Sequence, residues 1–153
     1  MRSWRIAVKE AALDKTCKSA ADNGGHWNAV GVPCMYTGVT VELCALEKFV
    51  HLNGDADQLV LVAIDVPDGP DLGYEAGLDT LPPDWCDMPS SPGAQDFGTR
   101  FLKANSHLWL RVPSTIIPES RNLIINPLHP AYGEVRLEIV RPFAFDPRMF
   151  RRQ

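Results

Sequence analysis

Residues 58–66, QLVLVAIDV, form a predominantly apolar run rich in Val, Leu and Ile that stops at Pro67-Asp68-Gly69-Pro70. A run of this length bounded by a turn sequence predicts a strand, so the chain must build a sheet. Thirteen prolines and eleven glycines in 153 residues then favour short strands and defined loops over long helices. Further strands are expected over residues 4–8, 34–37, 107–112, 122–125 and 134–140. Helices are expected over 10–21, rich in Ala, Lys and Asp, and over 94–104, where Phe97 and Phe101 stand four apart. A third helix is expected from Thr40 to about Leu52. Thr40 caps it, Glu42 lies in its first turn, Leu43, Leu46, Phe49 and Val50 form one apolar face, and Asn53-Gly54 follow its end. The fold class is α+β: a single domain over 1–153 with a mixed, mostly β core and helices beside it.

Length and charge narrow the function. A chain of this size buries roughly 70% of the surface its unfolded form exposes, enough for a core without staples. A net charge of −4 argues against a basic nucleic-acid face. It leaves room for a phosphate-bearing small molecule held by a few local groups. Cys17, Cys34, Cys44 and Cys86 are scattered, with no C-x-x-C pair and no zinc-ligand spacing. They read as free thiols, buried or partly buried, in a reducing compartment. With no signal-peptide pattern and no membrane-spanning run, the expectation is a cytoplasmic protein without a membrane partner.

Three places carry polar groups that a core does not require. Asn23-Gly24-Gly25-His26-Trp27-Asn28 combines paired glycines, suited to unusual backbone angles and close approach of a ligand, with a ring nitrogen, a stacking surface and an amide. Its plainer reading is a loop anchored by a buried Trp. Glu47 stands inside the helix that Thr40 begins, between Leu46 and Phe49, where a carboxylate is ordinarily solvated at the boundary. Ser114 follows the strand end Arg111-Val112-Pro113, with Asn122 to Pro127 and His129-Pro130 downstream, and could be turn chemistry alone. His51, His107 and His129 read as structural.

In order, GGHWNAVGVPCMYTG, ALEKFVHL and LRVPSTIIPESRNLIINPLHP resemble the RES-domain family, which is named for an Arg, a Glu and a Ser and occurs largely as toxins of bacterial toxin–antitoxin operons. The resemblance covers residues 4–148 and includes LVAIDVPD, LPPDW and FDPR. It implies a fold related to ADP-ribosyltransferase toxins and attack on the nicotinamide–ribose bond of NAD, by phosphorolysis or hydrolysis. NAD is then a substrate, and no cofactor or metal is needed. The family Glu falls on Glu47, the Ser on Ser114 and the strand tyrosine on Tyr36. The family Arg falls on His26, a departure with two consequences left open. Either NAD binding is impaired, or His26, Tyr36 and Glu47 act like the His-Tyr-Glu set of another branch of the superfamily.

Expelling neutral nicotinamide leaves oxocarbenium-like charge on the ribose, which a carboxylate such as Glu47 stabilises. An aromatic face such as Tyr36 fixes the leaving ring. Ser114 has no activating context for a nucleophile; it bonds ribose or carboxamide, or orients Glu47. His26, Trp27 and Asn28 are the expected substrate-binding residues, with Arg5 or Arg111 as alternative cations for the pyrophosphate. The resemblance further implies a cognate antitoxin with an Xre-type DNA-binding region, so that DNA contact belongs to the partner. Homodimer and toxin–antitoxin hetero-oligomer both stay open as assemblies. Transfer of ADP-ribose to a macromolecule and a non-enzymatic antitoxin-binding remnant are the competing functions.

Overall fold

In the computed structural model, which describes residues 1–52 and 58–151, the apolar run becomes β3 (Leu59–Asp65), buried along all but its last residue. It lies between β1 (Arg2–Val8) and β7 (Arg136–Pro142), both antiparallel to it. The remaining strands are β2 (Met35–Gly38), β4 (Gly73–Glu75), β5 (Trp109–Pro113) and β6 (Arg121–Ile125). Together they form one seven-stranded sheet in the order β4-β5-β6-β2-β1-β3-β7. Only β4 and β5 pair in parallel, so the sheet is mixed and the architecture is α+β. The three-residue β4 gives no period to read in the sequence, and the strand reading passed over it.

Side chains alternate between the two faces of the sheet. Val60, Val62, Ile64, Leu123, Ile125 and Met35 pack on one face, beneath Ala12, Cys17, Tyr132 and Val135. On the other face Leu110, Val112 and Ile124 join Trp27 and helix α3 (Pro92–Ala104). Farther along that face, Ile6, Leu59 and Leu61 pack with Phe145 and with Cys44 of helix α2 (Val41–Val50). Each large side chain fully buried in these clusters contributes roughly 1.5–3 kcal/mol.

The expected helix over 10–21 is replaced by a 3-10 turn (Lys9–Ala11) and a short helix α1 (Lys18–Asn23). Side chains intercept the backbone between them. The Asp14 carboxylate accepts from the backbone N–H and hydroxyl of Thr16, and Arg5 donates to the carbonyls of Ala11 and Ala12. Such local bonds compete directly with helix hydrogen bonds. Helix α2 starts at the expected cap, where Thr40 Oγ1 accepts from Leu43 N, but Val50 is exposed and Leu43 and Cys44 are its buried stripe. The expected Asn53-Gly54 stop lies outside the described residues. Cys17, Cys34 and Cys44 are buried free thiols, whereas Cys86 is exposed, against the expectation for it.

Helix α2 lies close on β2. A Cβ added at Gly38 would stand 2.7 Å from Cys44 Sγ, and that thiol donates to the Trp4 carbonyl on β1. Burial pushes the Cys44 thiol up to about 12, which keeps it a neutral donor. Gly38→Ala is expected to cost about 1–3 kcal/mol in urea unfolding through overpacking. Combining it with Cys44→Ala should cost less than the sum of the two single changes, because the second removes the clashing sulfur. Additive losses would show that α2 does not rest on Gly38.

Candidate active site

Glu47 is one turn beyond Leu43 and Cys44 on the stripe of α2 that faces the sheet, so the helix carries its carboxylate inward rather than to the boundary. The side chain is half-buried. Its Oε1 accepts from Ser114 Oγ at 2.9 Å and from Asn122 Nδ2 at 2.7 Å. Ser114 is fully buried just beyond β5, and its hydroxyl also accepts from the backbone N–H groups of Ile116 and Ile117. Asn122 is the second residue of β6, in register with Gly38 of β2 and Val112 of β5. The sequence had set Asn122 in a segment of interest without a role. The signal available is an amide directly before the apolar residues Leu123 to Ile125 of the strand.

Tyr36 shares this face, two residues before Gly38 on β2 and a diagonal neighbour of Asn122. Its hydroxyl accepts from Trp27 N at 2.9 Å and donates to Asn28 Oδ1 at 2.7 Å. Burial raises the phenol well above its ordinary value, so it stays protonated. Gly25 serves this contact. Gly24 takes a left-handed φ of +70°, and a Cβ at Gly25 would lie 2.6 Å from Tyr36 Oη. Where the sequence points to close approach of a ligand, the structure puts Gly25 against Tyr36 and Gly24 against Asn28 and Val30.

Trp27 and Asn28, nominated for substrate, are 3% and 0% exposed. The Trp27 ring packs edge-on against Phe97 of α3. Asn28 Nδ2 donates to the carbonyls of Ala20 and Val32. Both support Tyr36 from within the core, as the anchored-loop reading has it. His26 is half-buried, and its Nε2 bonds the carbonyl of Trp85. A carbonyl only accepts, so Nε2 carries the proton and Nδ1 is left as the second ring atom. Trp85, from LPPDW, thus fixes the orientation of the His26 ring.

The sequence profile of the RES domain matches residues 2–146. The chain belongs to the RES-domain family. This RES protein is 36% identical over 155 residues to a "Prs ADP-ribosylating toxin" of Sphingobium sp. (strain YBL2), covering 97% of this chain and 96% of the relative. It is 32% identical over 154 residues to a "Toxin Res" of Yersinia enterocolitica, covering 97% and 99% of the two chains. Among solved structures, its fold matches a chain of the M. tuberculosis MbcT–MbcA toxin–antitoxin complex with a TM-score of 0.67 at 17% identity, over 97% of this chain and 85% of the other.

In this RES domain Glu47, Ser114 and Tyr36 lie on one face of the sheet, with His26 joined to Tyr36 through the Gly25–Trp27 backbone. Arg5 and Arg111 are not brought there. Arg5 pairs in register with Val62 and Arg111 with Leu123, both on the opposite face. Burial lowers the Arg5 guanidinium pKa. Arg111 is in an ion pair with Glu75 at 3.3 Å. Asn126 is fully buried and bonds the Leu102 carbonyl and Asn105, which makes it a structural tie between β6 and the end of α3. Among the described residues no group of three His, Cys, Asp or Glu side chains is arranged to hold a metal, and no helix is long and apolar enough to cross a membrane.

Removing the hydroxyl in Tyr36→Phe deprives buried Asn28 Oδ1 and Trp27 N–H of their partner. The expected loss is about 1–3 kcal/mol in urea unfolding. An unchanged midpoint would show that the hydroxyl does not hold the Gly24–Asn28 loop.

Proposed function

We propose that this RES protein is the toxin of a toxin–antitoxin pair and cleaves the nicotinamide–ribose bond of NAD, with Glu47 as its electrostatic centre. The observation that carries the reading is the half-buried Glu47 carboxylate anchored through one oxygen by Ser114 and Asn122, in a chain of the RES family. In the reaction the bond from ribose C1′ to the pyridinium nitrogen breaks, and its electron pair stays on nitrogen, so nicotinamide leaves neutral. The sugar carries oxocarbenium-like charge, which the carboxylate opposes most strongly in the transition state. Water adds at C1′ and releases a proton to give ADP-ribose, or phosphate adds to give the 1-phosphate.

Tyr36 offers its ring to the nicotinamide, held in place by the two bonds of its hydroxyl. His26, with Nε2 tied to the Trp85 carbonyl, has Nδ1 as the ring atom left for a ribose hydroxyl in the competent reading of the His-Tyr-Glu set. Ser114 is too buried to touch substrate and acts through Glu47. Trp27 and Asn28 act through Tyr36, and Arg5 takes no part. NAD is the substrate and no cofactor is called for. The cognate antitoxin, with its Xre-type DNA-binding region, would restrain the toxin in the cytoplasm, as a hetero-oligomer.

A second reading, transfer of ADP-ribose to a macromolecule, is favoured by one finding: the relative named as an ADP-ribosylating toxin is 36% identical over nearly the whole chain. The readings part on the fate of labelled ADP-ribose, free in solution for cleavage and covalent on protein or nucleic acid for transfer.

Purified protein incubated with NAD, with and without phosphate, should release nicotinamide. Glu47→Gln should slow release by about 10²–10³-fold, and His26→Arg should still turn over. Turnover by His26→Arg alone would mean that the His26 form is impaired. If neither form releases nicotinamide or transfers label, the enzymatic reading fails.

A further inference from the structure

Two side chains meet Glu47 on one oxygen, and they do different work. The Ser114 hydroxyl is part of the local turn, because it also accepts from the backbone of Ile116 and Ile117. Asn122 has no such duty. Asn28 and Asn126, the fully buried amides, each bond backbone carbonyls. The one hydrogen bond described for the Asn122 side chain is to Glu47 Oε1. Its place in the sheet permits this reach. Gly38, its cross-strand neighbour, has no side chain to stand between the amide and α2.

Both donors are neutral. A Lys or Arg here would bring a positive charge against the carboxylate and oppose a developing cation beside it. An amide and a hydroxyl orient the group and leave its full negative charge. Both donors also take Oε1. Glu47 Oε2 has no hydrogen-bond partner among the described residues. We infer that Asn122 is a positioning residue: with Ser114 it pins Glu47 by Oε1, and so assigns Oε2 as the oxygen that faces the sugar cation. The chemistry of this assignment rests on the NAD reading above; the geometry does not.

Kinetics and NMR of the full chain test the two parts separately. Asn122→Ala should lower kcat for nicotinamide release by roughly 10–100-fold through misplacement of the carboxylate, with KM changed by less than about threefold, as for a contact that matters in the transition state. Asn122→Asp is close in shape but puts a second carboxylate against Oε1. Cys44, one turn before Glu47 on α2, and Tyr36, diagonal to Asn122 on β2, are both kept neutral by burial, and any effect of His26 is common to both variants. Two carboxyls in contact share a proton as the pH falls, and the protonated group again donates to its neighbour. Asn122→Asp should therefore be slower than Asn122→Ala at pH 8 and regain activity relative to it by about fivefold or more towards pH 5.5. A residue serving only the fold would show no such crossing.

In ¹⁵N-edited spectra the Asn122 side-chain amide should show one proton shifted downfield, and Glu47→Ala should abolish that shift while neighbouring backbone signals report an intact sheet. An Asn122 amide indifferent to Glu47→Ala overturns the inference whether or not NAD is cleaved. Asn122→Ala with kcat within twofold of wild type, where Glu47→Gln is inert, overturns the positioning role and leaves the NAD reading standing. A wild type inert towards NAD whose Asn122 amide responds to Glu47→Ala overturns the NAD reading and supports the pinning of Oε1.

Discussion

Helix α2 reaches the sheet because position 38 carries no side chain. The space that a Cβ would fill at Gly38 is already within 2.7 Å of Cys44 Sγ, and the same sulfur donates to the Trp4 carbonyl one strand over. This close contact sets the height of the helix above β1 and β2. It also carries Glu47, one turn farther on, down to the level of Asn122 and Ser114. The packing of the helix and the placement of Glu47 are therefore set by one contact. Withdrawing a carboxylate from water is costly unless donors replace the lost solvent, and the β5–β6 hairpin provides both replacements.

The two faces of the sheet divide the labour. One face holds the long apolar cluster of β2, β3, β5 and β6 together with the charged side chains of Arg5 and Arg111, which are used by nearby carbonyls and by Glu75. The other carries two apolar clusters, one under α3 and one under α2. The polar groups of Tyr36, Asn122, Ser114 and Glu47 lie between and beside them. A strand alternates its side chains, so a residue one position away belongs to the other face. That is why Arg111 and Arg5 are separated from Glu47 despite their place on neighbouring strands.

Much of this arrangement was legible in the sequence. The apolar run ending at Pro67, the Thr40 cap, and the order of GGHWN, Tyr36, Glu47 and Ser114 each carry a local or family signal, and the family match covers residues 2–146. Other parts were not legible. Residues 10–21 have a helical composition, yet Asp14 and Arg5 divert the backbone hydrogen bonds that a helix needs. Trp27 and Asn28 are polar or amphipathic groups beside a glycine pair, which resembles a binding loop. Their depth, and the fact that Tyr36 is what the loop binds, depend on α3 packing against the Trp27 backbone at Gly98.

By itself the sequence determined which elements form, since propensity, capping and periodicity act within a few residues, and it determined the family through the order of its motifs. Only the tertiary structure decided which side chains meet. The bonds from Ser114 and Asn122 to Glu47 join residues 67 and 75 positions apart. They depend on strand register and on the seat of one helix over one glycine, and neither is a property of a local segment. That is also why Glu47 reads as a boundary residue along the chain and is tied to the β5–β6 hairpin in the folded molecule.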